Sequence, residues 1–194
     1  MKRLSRILIL LLALLTLPLA SCRYNEPEQA AADLLDRVIA CEADAVAALM
    51  GYDILSLTDI ERYTLTRMEY KIIDSEQRDT TRWDVTVDTS LFDIMMLLNE
   101  AVVQTYVVGD GTFQAGTWIL EQLNTEEAAR ASFRAVIPFV YTDGTWQVDT
   151  ARIGDDLRDA VSGGAYSWYN AYKATFGDSA GMDALFSEAG EAAQ

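Results

Sequence analysis

Asp143-Gly144 stands between two runs that alternate apolar and polar residues, and this arrangement constrains the fold more than any other in the chain. Upstream, Phe133, Ala135, Ile137, Phe139 and Tyr141 alternate with Ser132, Arg134, Val136, Pro138 and Val140; downstream, Trp146 and Val148 share one side of Thr145 to Asp149. A period of two puts each set on one face of a strand, and Asp-Gly suits the positive backbone angles of a two-residue hairpin turn. The spacing therefore predicts an antiparallel hairpin. Pro138 has no N–H to give a ladder, so its nitrogen is expected at an edge or a bulge.

A second hairpin is expected upstream. Met68, Tyr70 and Ile72 alternate within Arg67 to Asp74, and Trp83, Val85 and Val87 oppose Arg82, Asp84, Thr86 and Asp88 within Thr80 to Thr89. The polar run from Asp74 to Asp79 reads as the loop between them. Elsewhere the apolar spacing is three and four. From Glu28 to Met50 the positions Ala31, Leu34, Leu35, Val38, Cys41, Ala45, Ala48 and Leu49 form one helical stripe that ends near Gly51. Thr58 with Glu61 has the pattern of a capping box. Ser90 is expected to cap a helix from Leu91 to Val107, with a further short helix over Phe113 to Leu123. Gly163-Gly164 separates helical patterns at Asp155 to Val161 and Tyr166 to Phe176. The expected fold is α+β: an antiparallel sheet of about four strands in two hairpins, packed against a long N-terminal helix. A helical insert lies between the hairpins, and helices close the chain.

The first residues have a different character. Lys2, Arg3 and Arg6 precede an apolar stretch from Ile7 to Leu19 that only Thr16 and Pro18 interrupt. That is a charged start and a short apolar core of an export signal, and it is too short to span a bilayer. Leu19-Ala20-Ser21-Cys22 resembles the lipobox of bacterial lipoprotein precursors, which implies cleavage after Ser21 and a diacylglyceryl group on Cys22. Two acyl chains are the number that gives stable anchoring. The expected organisation is a signal peptide over 1–21, a lipidated tether over 22–29, a folded domain over 30–176 and an acidic, poorly ordered tail over 177–194. The expected location is the extracytoplasmic face of a cell membrane.

Charge and composition narrow the chemistry. The three leader cations belong to 15 basic residues in all, and the leader has no acid, so the remainder carries 12 bases against 30 acids, a formal −18. Such a surface repels phosphate backbones and anionic headgroups, which excludes nucleic acid as a partner and leaves the lipid on Cys22 as the membrane attachment. Histidine is absent. That removes the commonest general base and metal ligand, together with Ser-His and Cys-His nucleophile pairs. Cys22 and Cys41 are the two cysteines, too few for a cysteine zinc site, and lipid on Cys22 leaves Cys41 as a small buried hydrophobe in the first helix. No metal site and no cofactor are expected.

The stretch from Glu28 to about Asp149 resembles small lipoprotein domains of Gram-positive bacteria that are grouped with the cystatin-like cone fold of the nuclear transport factor two-like superfamily. The leading helix Glu28 to Met50, Trp83-Asp84-Val85-Thr86-Val87, and the run from Phe139 through Asp143-Gly144 and Trp146 to Asp149 carry the likeness, and Asp159 to Gly164 adds to it. The resemblance implies a cone-like domain. It also raises catalysis, because steroid-isomerase-like members use a carboxylate base with acidic donors. Asp84 with Tyr70 or Tyr141 is the pairing to consider here, although Asp84 falls on the polar strand face, where a carboxylate is expected to be solvated. No catalytic motif matches.

The reading these features favour is a membrane-anchored, non-catalytic binding or accessory domain. Its partner would be an envelope protein, a peptide or a carbohydrate, and any pocket would be lined by Trp83, Phe133, Phe139 and Trp146. Tyr166, Trp168, Tyr169 and Tyr172 form a further aromatic cluster, suited to packing or to a ligand platform. The alternative is an extracytoplasmic cone-fold enzyme of isomerase or hydrolase type. A deep cavity with a carboxylate pointing into it would favour the enzyme, and a solidly packed sheet face would favour binding.

Overall fold

In the computed structural model, residues 26–177 are described apart from positions 53, 55, 109–112 and 126–127. The leader, the lipobox, Cys22 and the acidic tail beyond Gly177 lie outside the described residues. In chain order the elements are α1 (Glu26–Ile39), α2 (Ala43–Met50), α3 (Asp59–Leu65), β1 (Glu69–Gln77), β2 (Arg82–Phe92), α4 (Ile94–Val108), α5 (Ala115–Leu123), β3 (Arg130–Thr142), β4 (Thr145–Val148), α6 (Asp155–Ser162) and α7 (Ala165–Phe176). The strands form one antiparallel sheet in the order β1-β2-β3-β4, so the fold is α+β with two hairpins. Helix α1 opens inside the expected tether, with Pro27 in its first turn, where a missing N–H costs nothing.

One sheet face is the core. Val85, Val87 and Leu91 of β2 are fully buried beside Ala135, Ile137 and Phe139 of β3. Helix α6 packs on β3, and α1 lies across β1, β2 and β4. Ala31, Leu35 and Val38 of α1 and Leu157 and Ala160 of α6 complete this layer. Thr89 is a buried polar residue on this face, and its hydroxyl donates to the Ala160 carbonyl at 3.0 Å, fastening α6 to the sheet. The helices thus bury the middle of this face.

A second core stands at the end of the sheet, where Phe92, Ile94, Leu97, Leu98 and Ala101 meet Ala115, Ile119 and Leu123 of α5 and Trp168 of α7.

Several boundaries differ from expectation, each for a local reason. The N-terminal helical stripe is broken at Cys41, which takes a left-handed conformation with φ 60°. The Glu42 N–H donates to the Arg37 carbonyl and the Cys41 N–H to the Val38 carbonyl, the paired bonds of a Schellman helix end. Cys41 occupies the position where glycine is usual and is only half-buried, and burial pushes its thiol upward. The strand β2 runs through Ser90 to Phe92, because Leu91 continues the buried alternation opposite Ala131. The cap of α4 is therefore Asp93, whose carboxylate accepts from the Met96 N–H at 2.9 Å. The loop of the first hairpin spans 78–81 rather than 74–79, and a bulge between Ile72 and Asp74 shifts the β1 register.

The sharper local signals hold. Asp143 (φ 53°) and Gly144 (φ 85°) make the two-residue turn between Thr142 and Thr145. Pro138 sits in a central strand, yet the Asp149 N–H donates to its carbonyl, so its own nitrogen faces the point where β4 stops. Thr58 and Glu61 form the full capping box of α3.

Gly163 and Gly164 join α6 to α7 with φ of 65° and 80°. A Cβ on Gly163 would lie 2.4 Å from the Phe92 carbonyl oxygen, whereas one on Gly144 would meet nothing within 4 Å. Both positions share the left-handed penalty and only one adds a backbone clash. In urea unfolding, Gly144→Ala should cost about 1 kcal/mol and Gly163→Ala about 3 kcal/mol. Equal losses would show that Gly163 is not a close-approach position.

Candidate functional site

Where the two cores meet, the helices leave an apolar cavity of about 260 Å³. Val46 and Met50 of α2, Leu65 of α3 and Val161 of α6 come to it from the first core, and Ile94, Leu98 and Trp168 from the second. The capping box holds α3 in place, and α2 is closed against α6 by Arg158, whose Nε donates to the Met50 carbonyl at 2.9 Å. The Gly163-Gly164 turn brings the start of α7 over the start of α4, with the Met95 N–H donating to the Gly163 carbonyl.

The few polar groups on the walls are mostly engaged. The Thr58 hydroxyl donates to Glu61 Oε2 at 2.9 Å and accepts from the Glu61 N–H. Ser162 Oγ accepts from the Tyr166 N–H at 3.1 Å, and the Trp168 indole N–H donates to Asn99 Oδ1 at 2.8 Å. Tyr169 is at the rim, 41% exposed. Thr64 differs: it is 3% exposed, and its hydroxyl has no hydrogen-bond partner among the described residues.

The residues singled out from the sequence are distributed differently. None of Trp83, Phe133, Phe139 and Trp146 lines this cavity. Phe139 is 1% exposed and fills the sheet core, opposite Trp83 on β2. Trp83 meets Trp146 edge to face at 6.3 Å, and neither indole N–H has a partner among the described residues. Phe133 lies apart from them on the core face, half-buried against the first core with its ring beside Gly164. The C-terminal aromatic cluster divides as well. Trp168, stacked on Tyr172 at 5.3 Å, and Tyr169 belong to the cavity, while Tyr166 lies beneath the Arg158 guanidinium.

Asp84 is on the sheet face away from the core, as expected, but it is buried at 5% exposure rather than solvated. Arg152 Nη2 donates to both of its oxygens at 2.9 Å, and Arg78 Nε donates to Oδ2 at 2.7 Å. Burial alone would push this carboxyl up, and the hydrogen bonds from Arg152 and Arg78 overturn that and hold it below the usual range. Neither tyrosine joins it. The Tyr70 hydroxyl donates to Asp36 at 2.8 Å, and Tyr141 packs its ring against Trp146. The arrangement is an electrostatic clamp between the β1–β2 loop and the segment after β4.

Among the described residues, no group of three or more metal-ligating side chains converges, and no helix is long and apolar enough to cross a membrane. No family profile, no curated protein and no solved structure matches the chain. The cavity had little signature in the sequence, since its wall residues share the helical spacing of ordinary core. Thr64, a hydroxyl one helical turn after Ile60, is the position that departs from that pattern.

The clamp makes a prediction with a definite sign. A carboxyl titrating lower in the folded chain than its unfolded value of about 3.9 contributes stability above that pH and loses it as pH falls through the folded value. Asp84→Asn should cost about 2 kcal/mol at neutral pH, limited because both arginines are partly open to water. It should also remove part of the stability loss on acidification below about pH 4. An unchanged acid profile in Asp84→Asn would refute the clamp.

Proposed function

We propose that the chain is a lipid-anchored, extracytoplasmic binding domain, with the apolar cavity between its two cores as the binding site. The observation that carries the binding half is the cavity itself, a partly open space with walls that are almost wholly apolar, beside a sheet core of buried side chains. Concave, mostly apolar space with a few polar groups is the usual form of a small-molecule site. The location half rests on the leader and on Leu19-Ala20-Ser21-Cys22. A formal charge of −18 on the chain after the leader (12 bases against 30 acids) gives the surface no electrostatic attraction to anionic lipid, so acyl chains on Cys22 would supply the attachment. The likeness to cone-fold lipoprotein domains belongs to the same proposal, supported by a long helix laid across an antiparallel meander that ends in the Asp143-Gly144 hairpin.

The isomerase or hydrolase alternative requires a carboxylate free to take a proton from a bound substrate. Among the described residues Glu61 is the carboxylate on the cavity wall, and its Oε2 accepts from both the backbone and the hydroxyl of Thr58. Asp84 is held by two arginines on the far side of the sheet. Both are occupied structurally, which favours binding.

Metabolic labelling with an alkyne fatty acid in a bacterial host tests the anchor. The chain should incorporate label and sediment with membranes, and Cys22→Ala should abolish both. A Cys22→Ala protein that still sediments with membranes would overturn the lipoprotein reading.

A further inference from the structure

We propose that the cavity takes a neutral, largely apolar molecule of about ten heavy atoms that bears one hydroxyl or carbonyl group, and that Thr64 recognises that group. This rests on the cavity being the binding site and names the class of ligand it selects.

Size comes from the volume. A dry cavity of about 150 Å³ holds a six-carbon ring, so about 260 Å³ corresponds to a two-ring molecule or a medium-length chain. Polarity comes from the walls. Ile54, Leu57, Leu65, Ile94, Leu98 and Trp168 present only carbon surface, because the Trp168 N–H is turned to Asn99. Neutrality follows from the absence of lysine and arginine among the described lining residues. An anion would find no counter-charge and would face Glu61, and a cation would meet only that exposed carboxylate at the cavity wall, where solvent screens it and Oε2 is already engaged by Thr58.

The group recognised follows from Thr64. A buried hydroxyl normally has a partner, and the exceptions call for an explanation. Thr64 lines the cavity, is buried, and lies one helical turn from the Glu61–Thr58 pair without reaching it. In this dry space its hydroxyl can donate to a carbonyl or exchange a hydrogen bond with a hydroxyl. A ligand lacking such a group leaves Thr64 unpaired, so discrimination arises from the cost of an unmade bond.

The test is titration of the Cys22→Ala chain with β-naphthol, naphthalene and β-naphthoate, followed by methyl NMR at Ile94, Leu98 and Val161. β-Naphthol should shift those methyls and bind about tenfold more tightly than naphthalene, the size of one net hydrogen bond in a dry site. Thr64→Val should erase that difference while naphthalene binding persists, and Thr64→Ser should retain the difference. Because Thr64→Val removes an unpartnered hydroxyl at nearly constant volume, its unfolding midpoint should not fall. A lower midpoint would mean that the hydroxyl has a structural partner, and would overturn the proposal. A preference for β-naphthol that survives in Thr64→Val, or tighter binding of β-naphthoate, would overturn the ligand class while leaving the cavity as the binding site. No methyl shift with any probe would overturn both.

Discussion

The backbone of Gly163 approaches the carbonyl of Phe92 so closely that no side chain fits between them, and the geometry of the whole helical side follows from that contact. It fixes the end of α6, already fastened to the sheet through Thr89 and Ala160, against the point where β2 gives way to α4. Gly164 then turns the chain into α7, with its Cα facing Met95, so that Trp168 is delivered to the second core. Two cores joined at so tight a corner cannot share one continuous packing. Helices α2 and α3 approach the corner from the far side, and the remaining space is the cavity. Such a void forfeits dispersion contacts, and the unpaired Thr64 hydroxyl forfeits a hydrogen bond. Departures of this kind from consistent packing are expected where a structure serves something other than its own stability.

Charge is arranged mainly around the outside of this framework, with Glu61 at the cavity wall its nearest approach. The outer sheet face carries paired ions: Asp84 between Arg78 and Arg152, and Asp88 with both oxygens met by Arg134 at 2.7 and 2.8 Å. The Arg37 side chain bridges Glu42 and Asp44 across the helix break, and Arg158 ties Asp155 to the end of α2. In a chain with twice as many acids as bases, the arginines are thus used as staples between elements. The forked guanidinium suits that use, since one group can meet several oxygens in different directions. The Asp84 clamp is the most buried case. It holds the β1–β2 loop to the segment after β4, at the end of the meander where β4 stops short beside Pro138.

What was legible in the sequence were features whose physics is local. Asp143-Gly144 specifies a turn because both residues tolerate positive φ, and Thr58 with Glu61 specifies a helix start because the two side chains satisfy each other's backbone donors. Gly163-Gly164 likewise marked the joint between α6 and α7. Boundaries were lost where local and tertiary signals competed. Ser90 and Asp93 are both good caps, and the choice fell to Asp93 because burying Leu91 in the sheet outweighed starting the helix early. The helix break at Cys41 left no trace because the apolar stripe resumes in phase after it, at Ala45, Val46 and Leu49. Asp84 was expected to be solvated because alternation reports which face a residue is on, whereas its burial depends on arginines from two distant segments.

The cavity was hidden for a related reason. Walls of a dry site and walls of a core call for the same residues at the same spacing, and an empty volume has no residue of its own. Val46, Leu98 and Val161 would read identically if a side chain filled the space between them. Only a polar group at an apolar phase can reveal the difference, and Thr64 is such a group. Its side chain has nearly the volume of valine, which would pack there without an unpaired hydroxyl. Retaining an oxygen where carbon would be more stable is the physical mark by which a site within a core can be told from the core itself.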